Sequence, residues 1–334
     1  MKCTSNKQEN VIEQVQKLLK ERGSKALEEA RKTILQEKVE CKEVREALTY
    51  FMKEYWRDLA RPTLLSIACE AVGGDPDITT PIAVPMILIS GAIDIHDDII
   101  DQSKVKGSRP TVLGKFGKDV ALLVGDALLF KGLTLLHEAV EKGVPAEKLS
   151  VIINILKNMF FELGDAEALE LRFRGRLDIT PEEYLHVVTK KAADVESYTR
   201  ISAILGGGSE EDIDALGEYG RILGMLAILS DDLMDMIDFE EFQHRIKKEC
   251  LPLPILFTLK NPEIKPKITA ILLKKTITKK DAETILETVH KTGELKHFQK
   301  LMEELCTKAY SYIGDVEYNK NYLKLLVESM IPSL

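Results

Sequence analysis

Two clusters of aspartate with the same spacing are the residues of this chain best suited to chemistry. Each cluster reads D-D-x-x-D: Asp97, Asp98 and Asp101 form the first, and Asp231, Asp232 and Asp235 form the second. On an α-helix, residues four positions apart project from the same face. Both clusters lie in otherwise apolar stretches, 87–100 and 222–237. Each is therefore predicted to present its carboxylates together from a largely buried helix.

Carboxylates in apolar surroundings need a compensating positive charge, because burying unpaired charges is costly. Divalent cations provide that compensation, and a small number of hard oxygen ligands with room for water and phosphate suits Mg²⁺. The alternative is a pair of solvated acidic helix faces without a ligand. Two copies of the motif within apolar flanks favour the metal site.

The composition is that of a globular enzyme rather than a nucleic-acid-binding protein. The chain has 334 residues, 46 basic and 54 acidic, and its net charge of −8 argues against non-specific nucleic-acid binding. The five cysteines are scattered without a C-x-x-C pair, which indicates neither a zinc site nor a disulfide framework. Residues 1–20 lack the apolar core of a signal peptide, and no uninterrupted apolar run reaches the ~18 residues of a transmembrane helix. A cytoplasmic protein without a transmembrane segment is expected.

The elements that must position the aspartates are helices. Breaks rich in Gly or Pro, such as 73–81, 106–118 and 206–209, separate segments whose apolar residues recur with helical period. Thr180 followed by Pro181 and Glu183 has the features of a helix start, as has Ser209 before three acids. We predict an all-α protein of about ten or more helices. Residues 1–45, dense in Lys and Glu, are predicted to form a solvated charged helical extension, and residues 46–334 a single domain.

Further motifs follow one another in a recognisable order. They are Arg61-Pro62, Gly73-Gly74, the first Asp motif, Arg109-Pro110-Thr111, Gly125-Asp126, Glu167 to Leu171, Lys190, the second Asp motif, and Lys248 before Leu251-Pro252. From about residue 57 to residue 259, the chain resembles the trans-isoprenyl (polyprenyl) diphosphate synthase family. This resemblance implies an isoprenoid synthase-type bundle of long helices around a central cavity, usually in a homodimer.

The same resemblance implies the chemistry and the residues that perform it. The six aspartates become catalytic metal ligands, and three Mg²⁺ ions connect them to the diphosphate of an allylic prenyl substrate. The residues at the family's basic, diphosphate-binding positions are Lys106, Lys190, Lys248, Arg61 and Arg109. Ionisation of an allylic C–O bond places negative charge on the leaving oxygens, which metal ions and cationic side chains stabilise.

Three of the positions that the family uses for the second substrate, isopentenyl diphosphate, depart from the family pattern. Asp58 stands where the family has Lys, Ser90 where many members have His, and Gly107 where the family has the second of two arginines. Loss of these cations weakens binding of a diphosphate that no metal holds. We therefore favour a one-substrate enzyme, a terpene synthase (diphosphate lyase) on this fold. The alternatives are a chain-elongating, geranylgeranyl-type synthase with a rebuilt site, and a non-catalytic partner subunit.

The residues before the first Asp motif make a prediction about substrate length. In the family the allylic tail runs along this helix, which here places Ala92 and Ile93 at the floor of the cavity, with Ile89 and Met86 further along. Short-chain members commonly carry an aromatic ring at a floor position. Because alanine leaves that space open, we expect an allylic diphosphate of C20 or longer to be accepted. The alternative is that Ala92 is small because a neighbouring helix crosses closely there.

Overall fold

The protein is described by a computed structural model that covers residues 2–314 and 316–331. Its α-helices are, in order, α1 Lys2–Leu35, α2 Lys42–Tyr50, α3 Ala60–Ala71, α4 Thr80–Asp101, α5 Val112–Phe116, α6 Lys118–Glu138, α7 Ala146–Phe173, α8 Pro181–Lys191, α9 Ala193–Gly206, α10 Glu210–Ile237, α11 Phe239–Lys248, α12 Leu253–Leu259, α13 Lys265–Leu272, α14 Lys279–Thr292, α15 Glu294–Tyr312 and α16 Lys320–Ser329. A π-helical turn, Phe51–Tyr55, follows α2, and a 3₁₀ turn, Pro76–Thr79, precedes α4.

Two short strands join α4 to α5. β1 Val105–Lys106 pairs antiparallel with β2 Arg109–Pro110, with Lys106 opposite Arg109. Gly107 occupies the tight turn between them with φ of 58°, a conformation that glycine adopts without strain. Apart from this hairpin, the described secondary structure is helical. The predicted all-α fold class is confirmed.

The chain divides into two compact units. Unit 1 comprises Met1–Leu156, Ser197–Gly217 and Asp315–Leu325, and unit 2 comprises Lys157–Glu196, Glu218–Gly314 and Leu326–Leu334. The first Asp motif and its flanking hairpin belong to unit 1. The second Asp motif and α11 belong to unit 2.

The helix starts expected from the sequence are present. Thr180 accepts a hydrogen bond from the backbone N–H of Glu183, whose carboxylate accepts one from the N–H of Thr180, and Pro181 begins α8. At α10, the Ser209 hydroxyl accepts from the N–H of Asp212, whose carboxylate accepts from the N–H of Ser209. These reciprocal bonds satisfy N–H groups that a helix leaves unpaired at its first turn.

The N-terminal helix contributes to the core of unit 1. Leu18, Leu27 and Ala30 are buried in α1, which packs against α3 and α4. The expectation of a solvated extension is therefore wrong for this face of α1. It failed because apolar residues recurring every three or four positions are diluted among many Lys and Glu residues. The boundary between residues 45 and 46 remains a prediction.

Two helical stretches are long and apolar enough to cross a membrane when length and composition alone are considered. They are Pro76–Asp101 and Lys118–Glu138. In the first, 72% of the most apolar part is buried inside the protein, and in the second 39% of that part is buried. Neither stretch is an uninterrupted apolar run, because each includes a few charged residues. Core helices of soluble proteins have the same properties, so the two stretches are weak evidence of membrane insertion.

Candidate active site

The first Asp motif occupies the last two turns of α4. The helix ends where Gln102 takes a left-handed conformation, with φ of 58°, and the N–H of Ser103 donates to the carbonyl of Asp98 at 2.9 Å. Asp97 and Asp101 are half-buried, whereas Asp98 is only 1% exposed. As predicted, the carboxylates project from a mainly buried helix.

Lys106 provides the positive charge next to this motif. The hairpin β1–β2 turns the chain back, and the Lys106 ammonium nitrogen lies 2.8 Å from Asp98 Oδ1, 3.4 Å from Asp94 Oδ1 and 4.0 Å from Asp97 Oδ2. These carboxylates outweigh the effect of burial and raise the pKa of Lys106 well above its ordinary value. Lys106 was predicted to bind diphosphate; here it is an internal counter-ion of the first motif.

One cation does not fully compensate the first motif. Burial raises the pKa of Asp98 to about 7; Lys106 opposes the shift, and the neighbouring Asp94 and Asp97 increase it. Closely spaced carboxylates in a desolvated site resist ionisation until further positive charge arrives. Carboxylate oxygens are also the ligands that a hard divalent cation prefers. The first motif thus fits Mg²⁺ in donor type and in charge.

Helix α4 has three faces with different neighbours. Ile89 and His96 face α6, where a Cβ added at Gly132 would lie 2.6 Å from Ile89 Cγ1 and one added at Gly125 would lie 2.6 Å from His96 Nε2. Gly91 lies against the ring of Phe51 on another side. Because residues three and four apart share a face, Ala92 lies on the α6 side, between Ile89 and His96.

The third face of α4 carries the motif itself. Met86, Ser90 and Ile93 precede Asp97 at intervals of four, three and four residues and therefore share its side of the helix. The buried Tyr198 of α9 packs here: its hydroxyl donates to the carbonyl of Met86 at 3.1 Å and lies 2.5 Å from the Ser90 hydroxyl. A phenol has one proton, so Ser90 is the donor in the second bond. Ser90 is thus bonded to a neighbouring helix.

Three of the other four basic residues predicted to bind diphosphate have a polar partner within their own unit. Arg61 lies 2.8 Å from the carboxylate of Asp58, and Arg109 donates to the carbonyl of Glu54 at 3.1 Å. Lys190 pairs with Asp165 at 2.8 Å, and Lys248 is half-buried at the end of α11. Their assignment to diphosphate binding remains a prediction.

The second Asp motif lies near the end of α10. Asp232 is fully buried: its Oδ1 accepts from the Tyr184 hydroxyl at 2.7 Å, and its Oδ2 accepts from the N–H of Leu253 at 3.2 Å. Asp235 is half-buried, whereas Asp231 is exposed. The three carboxylates of this motif therefore have distinct environments, although the sequence pattern treats them alike.

Arg245 of α11 binds two of these carboxylates. One guanidinium nitrogen lies 2.7 Å from Asp232 Oδ1 and a second lies 2.8 Å from Asp235 Oδ2. The side chain is buried and also donates to the Tyr184 hydroxyl at 3.0 Å. Arg245 was not among the residues predicted from the sequence. Its position, ten residues after Asp235 in the amphipathic helix α11, does not distinguish it from the other basic residues of that helix.

Asp231 remains the carboxylate of this motif that suits a metal best. Partial desolvation raises the pKa of Asp231 to about 6, with the nearby charges of Asp235 and Asp232 adding to the effect and Arg245 opposing it. Its position at the surface of the motif leaves the carboxylate accessible. The donor type and this unfavourable negative charge fit a divalent cation.

Comparison with known proteins identifies relatives that agree with the sequence motifs. Residues 41–289 match the polyprenyl synthetase family model. The short chain isoprenyl diphosphate synthase of Methanothermobacter thermautotrophicus is 36% identical over 182 residues, which cover 54% of this chain and 55% of that protein. The geranylgeranyl diphosphate synthase of Methanosarcina mazei is 34% identical over 188 residues, covering 56% and 57%. The matched part thus spans a little over half of these relatives.

Solved structures of low sequence identity show the same fold. The geranylgeranyl pyrophosphate synthetase of Pyrococcus horikoshii aligns with a TM-score of 0.82 at 24% identity, covering 96% of this chain and 100% of that one. A decaprenyl diphosphate synthase of Rhodobacter capsulatus aligns with a TM-score of 0.80 at 21% identity, covering 97% and 98%. With the family match extending from residue 41 to residue 289, the chain belongs to the polyprenyl synthetase family.

Proposed function

We propose that the protein is a Mg²⁺-dependent, chain-elongating prenyl diphosphate synthase. It would condense an allylic prenyl diphosphate with isopentenyl diphosphate and release a longer allylic diphosphate, of the geranylgeranyl type. The two relatives described above are named as isoprenyl and geranylgeranyl diphosphate synthases, which supports elongation. The preference for a one-substrate terpene synthase is corrected accordingly. That preference relied on Asp58, Ser90 and Gly107, and these substitutions weaken one substrate site without changing the reaction class.

The observation that carries the proposal is the third face of α4. Its last turns carry Asp97 and Asp101, and the turn before them carries the half-buried Ile93. A substrate with an anionic head and an apolar tail matches such a face, with the head at the carboxylates through a cation and the tail along the apolar turns. Allylic prenyl diphosphates combine those properties.

The roles of this chain's own residues follow from their positions. Asp97 and Asp101 in the first motif, and Asp231 in the second, would each hold Mg²⁺, and bound metal would stabilise negative charge on the leaving diphosphate. Lys106 keeps Asp98 paired, so that a buried carboxylate is not left uncompensated at the end of α4. Buried Leu and Ile residues around α4 would keep water away from the reacting carbon. The number of metal ions, three by resemblance, is part of the proposal.

The reaction products provide the direct test. Purified protein with Mg²⁺ is incubated with C5 to C20 allylic diphosphates, each with and without isopentenyl diphosphate, and the products are identified by mass spectrometry. We expect longer diphosphates that form only when isopentenyl diphosphate is present. A hydrocarbon or alcohol formed from the allylic substrate alone would overturn elongation. Absence of turnover with every pair, in a folded protein, would reject the enzymatic proposal.

We also propose that α6 mediates a homodimer. Its outer side exposes large apolar residues, namely Leu122, Leu123, Phe130 and Leu133, and Phe130 is 74% exposed. A cluster of this kind on one helix is typical of a surface that is covered in the assembly. Light scattering after gel filtration is expected to give twice the chain mass of 37.6 kDa, and Phe130→Glu to give the monomer. A monomeric wild type would reject the dimer.

Cytoplasmic localisation remains a prediction.

A further inference from the structure

Lysines are concentrated in one segment of unit 2 that lies outside both Asp motifs. Residues 264–280 contain six lysines and no aspartate or glutamate, although the whole chain carries a net charge of −8. The segment comprises the short helix α13, the turn that follows it and the first residues of α14. All six lysines are exposed, and they are Lys265, Lys267, Lys274, Lys275, Lys279 and Lys280. The segment is therefore a cationic surface on an anionic protein.

The turn in this segment holds a leucine in solvent. Leu273 is 70% exposed, whereas Leu272 and Ile277 on either side of it are buried. The N–H of Leu273 donates to the carbonyl of Thr269 at 3.0 Å, which continues the bonding of α13 into the turn. The buried neighbours anchor the turn, and this anchoring keeps Leu273 on the outside.

The other end of the turn is fixed by the cap of α14. The hydroxyl of Thr278 accepts from the N–H of Asp281 at 3.2 Å, and the carboxylate of Asp281 accepts from the N–H of Thr278 at 3.0 Å. Asp281 also pairs with Lys274 at 2.5 Å. The acid that follows the lysine-rich segment in the sequence is thus occupied by the cap and by one lysine.

Three lysines near Leu273 keep their charge available. Within residues 2–314 and 316–331, Lys275, Lys279 and Lys280 form no ion pair. At physiological salt, exposed charges more than about 8 Å apart are largely screened from one another. A surface that approaches the turn therefore meets these lysines rather than the net charge of the chain. Cations around an exposed leucine complement a surface that is anionic outside and apolar beneath.

We propose that residues 273–280 dock the protein peripherally on an anionic lipid bilayer. Leu273 enters the boundary between headgroups and acyl chains, and the lysines contact the lipid phosphates. A nucleic acid is also polyanionic, but residues 264–280 contain no aromatic ring on which a base could stack. The inference is independent of the proposed catalytic activity, because it concerns a surface outside the Asp motifs.

Vesicle sedimentation tests this surface with the whole protein and without substrate. Vesicles of phosphatidylglycerol and phosphatidylcholine in equal parts are compared with vesicles of phosphatidylcholine alone. Wild type should bind only the anionic vesicles and should be released at about 1 M NaCl. Each lysine near an anionic surface raises partitioning about fivefold, so combining Lys275→Gln, Lys279→Gln and Lys280→Gln should lower it about 10²-fold. Leu273→Ser should lower it about tenfold.

Lys291, Lys296 and Lys300 provide a matched control in the same unit. All three are exposed, but acids are interleaved with them: Lys291 pairs with Glu287 and Lys300 with Glu304. Replacing these three lysines by glutamine removes the same charge and should leave partitioning nearly unchanged. An equal loss in both triple variants would overturn the proposal, as would failure of wild type to bind the anionic vesicles.

A fluorescent side chain distinguishes insertion of the turn from contact at the lipid surface. The chain has one tryptophan, Trp56, and it is buried. Leu273→Trp therefore adds an exposed reporter, whose emission should shift to the blue with anionic vesicles, whereas the emission of wild type should not shift. Absence of a shift in Leu273→Trp would reject insertion. Binding of a single-stranded RNA that displaces the vesicles and is undiminished in Leu273→Ser would identify a nucleic-acid surface and reject the bilayer.

Discussion

Asp58 binds the guanidinium of Arg61 at 2.8 Å, so a cation that the resemblance assigns to diphosphate binding is paired with a carboxylate three residues before it. Asp58 also accepts from the N–H of Ala60 at 2.8 Å, at the start of α3. The acid that replaces the family's Lys therefore has two effects. It stabilises the first turn of α3, and it reduces the positive charge that Arg61 can offer to a diphosphate.

Removing the charge of Asp58 should improve use of isopentenyl diphosphate. Asp58→Asn keeps an oxygen for the Ala60 N–H and releases Arg61, and charge-assisted bonds contribute ~1.5–3 kcal/mol. We expect the KM for isopentenyl diphosphate to fall by about tenfold while the KM for the allylic substrate is unchanged. Steady-state kinetics measure both values. Asp77→Asn, which removes an exposed partner of Lys25, is the control and should change neither KM. An unchanged KM in Asp58→Asn would contradict the expectation.

Loss of a metal-binding carboxylate should abolish most of the turnover. Asp97→Ala and Asp231→Ala are each expected to lower kcat by at least about 10², the scale of losing a main electrostatic stabiliser. Circular dichroism should show an intact fold, because each substitution removes one carboxylate from a cluster of mutually repelling carboxylates. Near-wild-type turnover in either folded variant would refute the assignment of that residue.

The metal-free protein should become less stable as the pH rises. The pKa of Asp98 is about 7 in the folded protein and ordinarily 3.8, so between these values the native state binds more protons than the unfolded state. The free energy of unfolding therefore falls across this window, by up to about 1.4 kcal/mol per pH unit for this group. Asp231, whose pKa is about 6, acts in the same direction.

Urea denaturation in EDTA at pH 5 and at pH 7.5 measures this dependence. Wild type should lose a few kcal/mol between the two conditions. The free energy of unfolding of Asp98→Asn should fall less, because the amide does not titrate. The control is Asp281→Asn, in α14 next to Lys274. It should show the same difference in free energy of unfolding as wild type over this pH range. Equal pH dependence in wild type and Asp98→Asn would contradict the prediction.

The faces of α4 predict different results for two adjacent substitutions. Ile93→Phe adds a ring on the face that carries Asp97, and it should shorten the products by one or more C5 units. Ala92→Phe adds a ring on the face that packs against α6, and overpacking there should cost about 1–3 kcal/mol. Product chain length and melting temperature distinguish the two. Shorter products from a stable Ala92→Phe protein would instead support the sequence prediction that Ala92 forms the cavity floor.

Sequence patterns predicted the parts of this molecule that depend on local chemistry. The helix caps at Thr180 and Ser209 follow from residue types a few positions apart, and the carboxylate face of Asp97 and Asp101 follows from helical geometry. The buried side of α1 was missed because its pattern is weak within a charged segment.

The counter-ions required the folded chain. Nothing in the sequence distinguishes Arg245 from the many basic residues that are solvated, and its role depends on how α11 packs beside the end of α10. Similarly, Lys106 was predicted to bind the substrate. Its pairing with Asp98 could not be read from the sequence, because it depends on the geometry of the turn between β1 and β2. Three-dimensional placement, rather than residue type, decides which cations a carboxylate holds.

The proximity in sequence of each motif and its counter-ion has a consequence for folding kinetics. Lys106 follows Asp98 by eight residues, and Arg245 follows Asp235 by ten. Contacts between residues so near in the chain need only a small loop to close and form early compared with long-range contacts. Part of the negative charge of each acidic cluster can therefore be paired before the rest of its unit assembles, which reduces the repulsion among its carboxylates in the folding chain.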